Sequence, residues 1–431
     1  MNRRKIFIST TMLVALFLGL FVTASSVFAA DKKIELQFWS FVGEGHGLAS
    51  TFAEGIAEYD KLNPDVTVKH VPLPWDDYVG VKLRSSFAAG SGPDLFMVPN
   101  AWLLEFATNG NVAPLDNYLT PAEKADYYPG VLDGASIDGK LYRFPWSQAF
   151  EVLYYDKDAF AKNGLQPPKT WDELLADAKK LTTKDHYGFI SYVNNDAHTP
   201  MPWSPFIWMA GGEYFTKDGR KSAINTPQVI KALTFIRELM SSGAMSPRPS
   251  LAGTEIRLIG TDECSMQVCG IWGINALKKD FPERHIGIVP IPSPDGKHFV
   301  SFAGGWGLAV NPHSKHLDEA IKFAKWFSYT NKTLAENLAF KDSSLSLRKS
   351  INDSPEAKKI LTGSLWADVF KYNIAAIARP EVKWPPEVTK IVGDMIQQTL
   401  YDTSMTPADI AKSADDKLNK FMQTYQGPAL H

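Results

Sequence analysis

The fold is decided by residues 34–71, IELQFWSFVGEGHGLASTFAEGIAEYDKLNPDVTVKHV, which place one helix pattern between two strand patterns. Ile34–Phe38 alternates apolar and polar residues, and Val66–Val71 is rich in β-branched residues, so each predicts a strand. Between them, helical spacing runs from Leu48 to Leu62 and stops at Asn63-Pro64. This order is typical of an α/β unit.

Further along, Asp76–Ala89 has helical spacing and Asp94–Val98 reads as a short buried strand. The resulting strand–helix–strand–helix–strand series predicts a parallel α/β sheet with binding loops at the carboxyl ends of its strands. The pattern returns later, with a strand at Val152–Tyr155, a capping box at Thr170–Glu173 and a strand at His186–Ser191. Because 431 residues are too many for one compact core, we expect two domains.

The amino terminus has the three parts of a secretory signal peptide. Met1–Lys5 is basic, Ile6–Val22 is apolar, and small residues up to Ala29 suit cleavage there. We therefore expect residues 1–29 to be removed and the protein to be periplasmic or extracellular; the alternative is a retained membrane anchor. No Cys follows the apolar stretch, so the sequence predicts no lipid attachment.

Composition and charge exclude several classes of function. The formal net charge is -2, and no basic stripe stands out, which argues against nucleic acid and against adsorption to anionic lipid. The sequence shows no serine-hydrolase elbow, zinc-protease motif, phosphate-binding loop or dinucleotide fingerprint. We therefore predict no catalytic residues, no metal site and no cofactor. A glycosidase pair of carboxylates from distant segments stays open as an alternative.

The two cysteines, Cys264 and Cys269, lie in a strand-like segment. In an extended strand their spacing of five residues places them on opposite faces and too far apart for a disulfide. Buried thiols are the expectation, and a disulfide would require a tight turn between them.

The twelve tryptophans are placed unusually, because most fall at strand ends or in loops rich in Gly and Pro. An indole can stack on the apolar C–H face of a sugar while polar side chains bind its hydroxyl groups, so this placement favours a carbohydrate ligand. Several such positions favour more than one sugar ring. The residues concerned are Trp39, Trp75, Trp102, Trp146, Trp203, Trp208, Trp272, Trp306 and Trp384.

Six motifs occur in an order that resembles a known family. They are Leu36–Trp39, Gly90–Phe96, Tyr142–Trp146 with Leu153–Lys157, Pro168–Leu174, Met266–Trp272 and Ala303–Gly307. Together they are similar to the extracellular sugar-binding proteins of ABC importers, the family 1 solute-binding proteins related to maltose-binding protein. The resemblance spans nearly the whole chain after the leader.

The resemblance implies a two-lobed, periplasmic-binding-protein-like α/β fold of type II, with the ligand in the interlobe cleft. The first lobe would hold residues 31–143 plus 301–342, and the second would hold 144–300 plus 343–431 with a helical tail. It also implies a monomer that closes on a sugar and delivers it to the membrane permease subunits of an ABC transporter.

The resemblance also maps a ligand site onto this chain. It comprises Trp39, Glu44, Asp94, Trp146, Tyr155, Trp272, Gly305 and Trp306, with Arg379 and Trp384 at the rim. For Asp94 the alternative is a turn contact to loop N–H groups. One departure is Cys269, which stands where the family usually has an acidic residue.

Other functions and ligands remain open at this stage. The first alternative is a secreted carbohydrate-active enzyme, and the second is a sensory sugar receptor for a membrane kinase or chemoreceptor. An anionic ligand such as a sugar acid would need convergent cations, for which Arg143, Arg348 and Arg379 are candidates.

Overall fold

The computed structural model describes residues 33–430, except residues 197, 252 and 254. The predicted signal peptide, residues 1–29, lies outside the described residues. Within the described ranges, no helix combines the length and the apolar character needed to cross a bilayer.

The strands are named in chain order. They are β1 (Ile34–Ser40), β2 (Val66–Pro72), β3 (Leu95–Pro99), β4 (Ser136–Ile137), β5 (Lys140–Leu141), β6 (Phe144–Pro145), β7 (Ser147–Asp156), β8 (Met266–Gly270), β9 (Ile286–Val289), β10 (Ser301–Gly304), β11 (Trp306–Val310), β12 (Leu345–Ser346) and β13 (Ala378–Pro380).

The helices cover both faces of the sheets. They are α1 (Ala49–Leu62), α2 (Trp75–Val79), α3 (Lys82–Ala88), α4 (Asn100–Thr108), α5 (Pro121–Asp126), α6 (Val131–Gly134), α7 (Lys157–Lys162), α8 (Trp171–Leu181), α9 (Pro200–Met209), α10 (Pro227–Ser241), α11 (Arg257–Gly260), α12 (Ile274–Asp280), α13 (Leu317–Lys325), α14 (Lys332–Phe340), α15 (Lys349–Asn352), α16 (Pro355–Ile360), α17 (Ser364–Lys371), α18 (Pro386–Tyr401) and α19 (Pro407–Met422). Short 3-10 turns lie at Asp116–Tyr118, Ile271–Gly273 and Ile374–Ile377, and Trp326–Thr330 continues α13 as a π-helical turn.

The first sheet has the strand order β2-β1-β3-β11-β6. Strand β1 lies parallel to β2 and β3, as the sequence predicts, while β11 runs antiparallel to β3 and β6. Its core is built from phenylalanines on the sheet and on two helices, with Phe38 packed against Phe52, Phe323 and Phe327. Burial of one large apolar side chain of this kind stabilises the folded state by about 1.5–3 kcal/mol.

The second sheet is organised around the ten-residue strand β7. Its first half pairs with β12 and β10, and its second half pairs with β8 and β9. Strand β13 joins the sheet parallel to β10. A long run of helices, including α8, α9, α10, α18 and α19, packs one large apolar core against this sheet.

Two strand pairs carry the chain between the sheets. Phe144–Pro145 lies in the first sheet and continues through Trp146 into β7 of the second. Ser301–Gly304 lies in the second sheet and continues through Gly305 into β11 of the first. The sheets therefore change over at Trp146 and Gly305, so our predicted boundaries at 143/144 and 300/301 are wrong by a few residues.

Local sequence signals explain most helix starts. Thr170 Oγ1 accepts a hydrogen bond from the Glu173 N–H at 3.1 Å, and Glu173 Oε2 accepts one from the Thr170 N–H at 2.9 Å, which confirms the predicted capping box. The single helix expected at Asp76–Ala89 is instead two helices. Gly80 separates them, and a Cβ there would lie 2.5 Å from the Asp76 carbonyl oxygen.

The strand predicted at His186–Ser191 is wrong. This segment forms only isolated bridges, because it is wedged between two others: Phe189 bridges to Met245, and Ile190 bridges to Gln267. Cys264 and Cys269 are both buried and do not form a disulfide, which confirms the expectation from their spacing. Burial raises the pKa of both thiols.

We predict that Gly305→Ala destabilises the protein by about 1–3 kcal/mol, because an added Cβ would meet the Ser147 carbonyl oxygen at 2.2 Å and overpack the crossing. Urea unfolding would measure the change. The control is Gly43→Ala, where the nearest atom to an added Cβ is Pro72 Cβ at 3.6 Å. Equal stability of the two variants would contradict a tight crossing.

Candidate functional site

The loop after β1 is fixed at the carboxyl end of the first sheet. Ser40 Oγ lies 2.7 Å from His70 Nε2 and accepts a hydrogen bond from the Val42 N–H at 3.0 Å. Farther along the loop, the Leu48 N–H donates to His46 Nδ1 at 3.1 Å. The loop therefore leaves the sheet in a defined direction, with Phe41 and His46 half-buried.

Aromatic rings converge where this loop meets the crossing strand. The ring centre of Phe41 lies 4.7 Å from that of Trp306 and 4.9 Å from that of Trp75. Trp102 of α4 approaches Trp306 edge-on at 5.9 Å. Edge-to-face contacts of this kind hold the rings in place while faces remain partly open, and Trp75 is 37% exposed. We call Phe41, Trp75, Trp102 and Trp306 the aromatic cluster.

The second lobe meets the aromatic cluster through one loop. His198 approaches Trp75 edge-on with ring centres 6.2 Å apart, and Tyr192 packs on the other side of the imidazole at 5.2 Å. The Tyr192 hydroxyl donates to Asp196, and the His198 N–H donates to Asp196 Oδ1 at 2.8 Å. Burial lowers the pKa of His198 to about 4, while the nearby Asp196 charge opposes that shift.

A second cross-lobe contact lies beside the β1 loop. Burial lowers the pKa of His46, and the charge of Glu255 from the second lobe opposes this shift. Nearby, Asn275 of α12 donates its N–H to Ser343 Oγ at 2.9 Å and its Nδ2 to the Phe340 carbonyl oxygen at 2.9 Å. The segment between α14 and β12 is thus attached to α12 of the second lobe.

Several predicted site residues lie near these contacts. Trp306 belongs to the aromatic cluster, and Gly305, next to it, accepts a hydrogen bond from Arg143 at 2.9 Å. Trp272 is half-buried in the turn that ends β8, one turn before Asn275. Trp39, at the end of β1, is half-buried, and Glu44 is exposed in the loop that follows. Ligand contact by these residues stays a prediction.

Trp146 is not a cleft residue, which corrects the prediction. It is 2% exposed and packs edge-on against Phe52 and Phe327 of the first-lobe core. The chain changes sheets at this position, so the indole is turned down into the core, although a glycine- and proline-rich context surrounds it. Its ring offers no free face to a ligand.

Asp94 is also occupied internally. Its Oδ2 accepts from the Gln37 N–H at 2.7 Å, and its Oδ1 accepts from the Ser314 hydroxyl at 2.5 Å. It precedes β3, whereas the aromatic cluster lies at the opposite, carboxyl end of that strand. The alternative of a turn contact is therefore the correct one, and the predicted ligand contact is wrong.

Tyr155 lies at the far end of β7. Eight residues separate it from Ser147, and at about 3.3 Å per residue this places it about 26 Å from the crossing. There its ring packs against Phe160 at 5.2 Å, and Met266 and Gly287 flank it on neighbouring strands. This position is remote from the aromatic cluster, and ligand contact by Tyr155 stays a prediction without support from the geometry.

The two predicted rim residues differ. Trp384 is 3% exposed and packs edge-on against Tyr214 at 4.7 Å, so it is a core residue and its predicted ligand contact is wrong. Arg379 is half-exposed, lies over the Trp208 ring at 4.3 Å and forms a bidentate pair with Glu213 at 2.8 and 3.0 Å. Ligand contact by Arg379 stays a prediction.

None of the three candidate arginines is available as a free cation. Besides the Arg379–Glu213 pair, Arg348 bonds Asp126 Oδ2 at 2.8 Å. Arg143 is buried, donates to the Val98 carbonyl oxygen at 2.7 Å and faces the charge of Glu381. In the part of the chain that the structure describes, no cluster of His, Cys, Asp or Glu has the arrangement of a metal site.

The structure adds residues that are absent from the predicted ligand site. Trp75 and Trp102, which were among the tryptophans favouring a carbohydrate, complete the aromatic cluster together with Phe41, which was not predicted. His46, His198 and Glu255 had no signal, because their proximity depends on how the lobes meet.

Comparison with known proteins gives a consistent result. The family model for bacterial extracellular solute-binding proteins matches residues 45–328. A binding protein of Brucella abortus is 29% identical over 281 residues, 63% of this chain and 66% of that protein. The maltotriose-binding protein of Pyrococcus abyssi is 27% identical over 312 residues, 70% of this chain and 64% of that protein. The chain thus matches just under two thirds of the length of these curated relatives.

A solved structure agrees with the fold as well. The ABC transporter solute-binding protein of Thermotoga lettingae, bound with alpha-D-tagatose, superimposes with a TM-score of 0.77 at 25% identity. The superposition covers 90% of this chain and all of the other. A two-lobed α/β fold of this kind is therefore common to both chains.

We predict that Trp146→Ala and Trp75→Ala affect stability very differently. Trp146→Ala removes a fully packed indole and should cost about 3–5 kcal/mol. Trp75→Ala should cost no more than about 1 kcal/mol, because that ring is partly exposed and held only by edge contacts. Chemical denaturation of both variants makes the comparison, and similar losses would contradict the core placement of Trp146.

We predict that acid weakens the support of the β1 loop through His70. Burial lowers the pKa of His70 to about 4, whereas in the unfolded chain it stays near 6.5. Between these values the unfolded state binds more protons, so the free energy of unfolding falls as the pH drops from about 6.5 to 4. His70→Asn should flatten this slope, as measured by urea unfolding at several pH values. The exposed control His313→Asn should retain it.

Proposed function

The chain belongs to the bacterial extracellular solute-binding protein family, and from this premise we propose that it captures a carbohydrate between its two lobes. The observation that supports the proposal is the aromatic cluster at the cleft. Phe41, Trp75 and Trp306 are held within 4.7–6.2 Å of one another at the point where the chain crosses between sheets. Sugar rings present apolar C–H faces, and fixed aromatic faces are the matching surface.

The ligand we propose is uncharged. Arg348 and Arg379, two candidates for an anionic ligand, are each paired with a carboxylate of the protein, and the third, Arg143, is buried and donates to the Val98 and Gly305 carbonyl oxygens. An acidic sugar would have to displace one of these partners, leaving a buried or half-buried carboxylate unpaired, which is costly. This argument favours a neutral sugar over a sugar acid or a phosphodiester.

The aromatic cluster also favours an oligosaccharide. Trp75 and Trp306 lie on different elements and cross at 77°, so one sugar ring cannot stack on both faces. Two relatives show the range of ligands: the Pyrococcus abyssi relative is a maltotriose-binding protein, and the Thermotoga lettingae structure holds tagatose. We propose a ligand of two or more rings, with the second lobe closing over it at His198 and Trp272.

We further propose that the protein acts outside the cytoplasmic membrane and delivers its ligand to an ABC transporter permease. The family is extracellular, and a relative in Deinococcus radiodurans is described as an ABC transporter-binding protein. We propose that residues 1–29 are removed on export, and closure of a single chain would present one liganded face to the permease. We propose that it works as a monomer and changes no bond in its ligand.

We predict that a panel of neutral sugars raises the melting temperature selectively. A ligand that binds only the native state at 100 times its Kd adds about 2.7 kcal/mol, which moves the melting temperature by several degrees. Maltotriose, maltose and tagatose form the core of the panel, and the anionic sugar glucuronate and free amino acids are the controls. A response to glucuronate or amino acids alone would contradict a neutral carbohydrate ligand. Recovery of unchanged labelled sugar from the complex separates binding from catalysis.

We predict that Trp306→Ala weakens binding of the best sugar by about tenfold, because one aromatic face is lost. The matched control is Trp326→Ala, which removes another half-buried first-lobe indole that packs on Tyr59, away from the cluster. Isothermal titration calorimetry measures both. If Trp326→Ala weakens binding as strongly as Trp306→Ala, the loss reflects general destabilisation and the site assignment is wrong.

A further inference from the structure

Two charged side chains of the second lobe reach across to the first lobe beside the crossing. Glu381 and Lys383 follow β13, and the Glu381 N–H donates to the Ala303 carbonyl oxygen at 2.8 Å. This bond continues the pairing of β13 with β10, so the backbone of the segment belongs to the second sheet. The side chains of both residues nevertheless point toward the first lobe, where Lys383 finds its hydrogen-bond acceptors.

Lys383 makes the clearest contact between the lobes. Its Nζ donates to the carbonyl oxygens of Asp133 at 3.0 Å and Ser136 at 2.8 Å. Asp133 lies in the last turn of α6, where carbonyls lack partners within the helix, and Ser136 begins β4. Burial of Lys383 lowers its pKa, and the positive charge of Arg143 adds to this shift. The ammonium group is therefore partly removed from water and depends on these two carbonyls.

Glu381 meets the opposite kind of surface. The backbone N–H groups of Asn100 and Ala101, at the start of the nine-residue helix α4, and the charge of Arg143 all favour the ionised form of its carboxylate. Burial raises the pKa of Glu381 to about 7, while the Arg143 charge and the two N–H groups oppose the shift. A negative group is favourable at the amino end of a helix, where the N–H groups and the helix dipole are positive.

The two contacts are complementary in sign. The second lobe supplies a carboxylate where the first lobe presents free N–H groups, and an ammonium group where it presents free carbonyls. A random approach of two surfaces would not match both charges. The pairing of Glu381 with α4 and of Lys383 with the end of α6 is therefore specific to this arrangement of the lobes.

The contact is also incomplete. Glu381 Oε2, Arg143 Nε and Asn100 Oδ1 are all buried without a hydrogen-bond partner. Each such atom carries a desolvation cost that separation of the lobes would relieve, since water could then reach it. Some polar groups in this contact are hydrogen-bonded and others are not. This combination suits lobes that close reversibly.

We propose that Glu381 and Lys383 form an interlobe latch that holds the two lobes together before a ligand arrives. The latch does not depend on the chemistry of the ligand. Its test is therefore independent of the proposal that the ligand is a carbohydrate. It sets how often the unliganded cleft is closed. Because the apparent Kd equals the intrinsic Kd divided by the competent fraction, the latch also tunes affinity without touching the ligand.

Spin labels on the two lobes test the latch directly. Leu62→Cys in α1 and Phe370→Cys in α17 place one label on each lobe, at side chains that are 61% and 50% exposed. The native cysteines are buried and should remain unlabelled. Pulsed electron resonance of the unliganded protein then gives the interlobe distance distribution. In the double variant Glu381→Gln/Lys383→Met we expect the closed-to-open ratio to fall by on the order of tenfold.

The control pair is Glu387→Gln/Lys390→Met in α18, which removes the same two charges at exposed positions of the second lobe. Lys383→Met alone serves as a milder variant if the double variant loses its circular dichroism spectrum. A shift to longer distances in the latch variants, but not in the control, supports the proposal. Identical distributions, or an equal shift in the control, overturn it. The measurement uses no sugar, so failure of the carbohydrate assignment leaves this result intact.

Discussion

The close passage of two backbones at Gly305 is the constraint on which the rest of the structure depends. An added Cβ there would lie 2.2 Å from the Ser147 carbonyl oxygen, so only glycine allows the two strands to cross so tightly. This crossing joins two sheets that have separate cores. It also fixes the neighbours of the site, because Trp306 follows Gly305 directly and Arg143 donates to its carbonyl oxygen at 2.9 Å.

The cleft beside this crossing has two kinds of surface, and they act differently. Around Trp306 the surface is aromatic, so its attraction for a ligand depends on contact area and shape. On the other flank, around Arg143, the surface is charged, and Arg143 itself donates to backbone carbonyl oxygens of the protein. A neutral, ring-shaped ligand gains from the first surface and does not disturb the second. Any anionic ligand would have to compete with carboxylates that are already in place.

The order of strands and helices could be predicted from the sequence. Whether a side chain points into the core or into the cleft could not. The β1–α1–β2 unit and the Thr170–Glu173 capping box depend on neighbours within a few residues, and both were predicted correctly. The family resemblance predicted that Trp146 and Trp384 contact the ligand, yet both are buried. Whether an indole at a strand end turns into the core or into the cleft depends on the crossing, which joins residues more than a hundred positions apart. The glycines before Trp306 mark that crossing, and ligand contact by Trp306 stays a prediction.

Closure of the cleft must balance two opposing effects. The aromatic faces need to be separated for a sugar ring to enter, and the contact between Trp75 and His198 shows that the lobes already touch at the mouth. A contact held only by apolar burial would resist opening in proportion to its area. The charged segment at Glu381 and Lys383 instead has orphaned polar atoms beside it, and water satisfies those atoms when the lobes part. Placing the polar contact next to the hinge and the aromatic contact at the mouth therefore lets the lobes open at low cost while the stacking surfaces stay rigid.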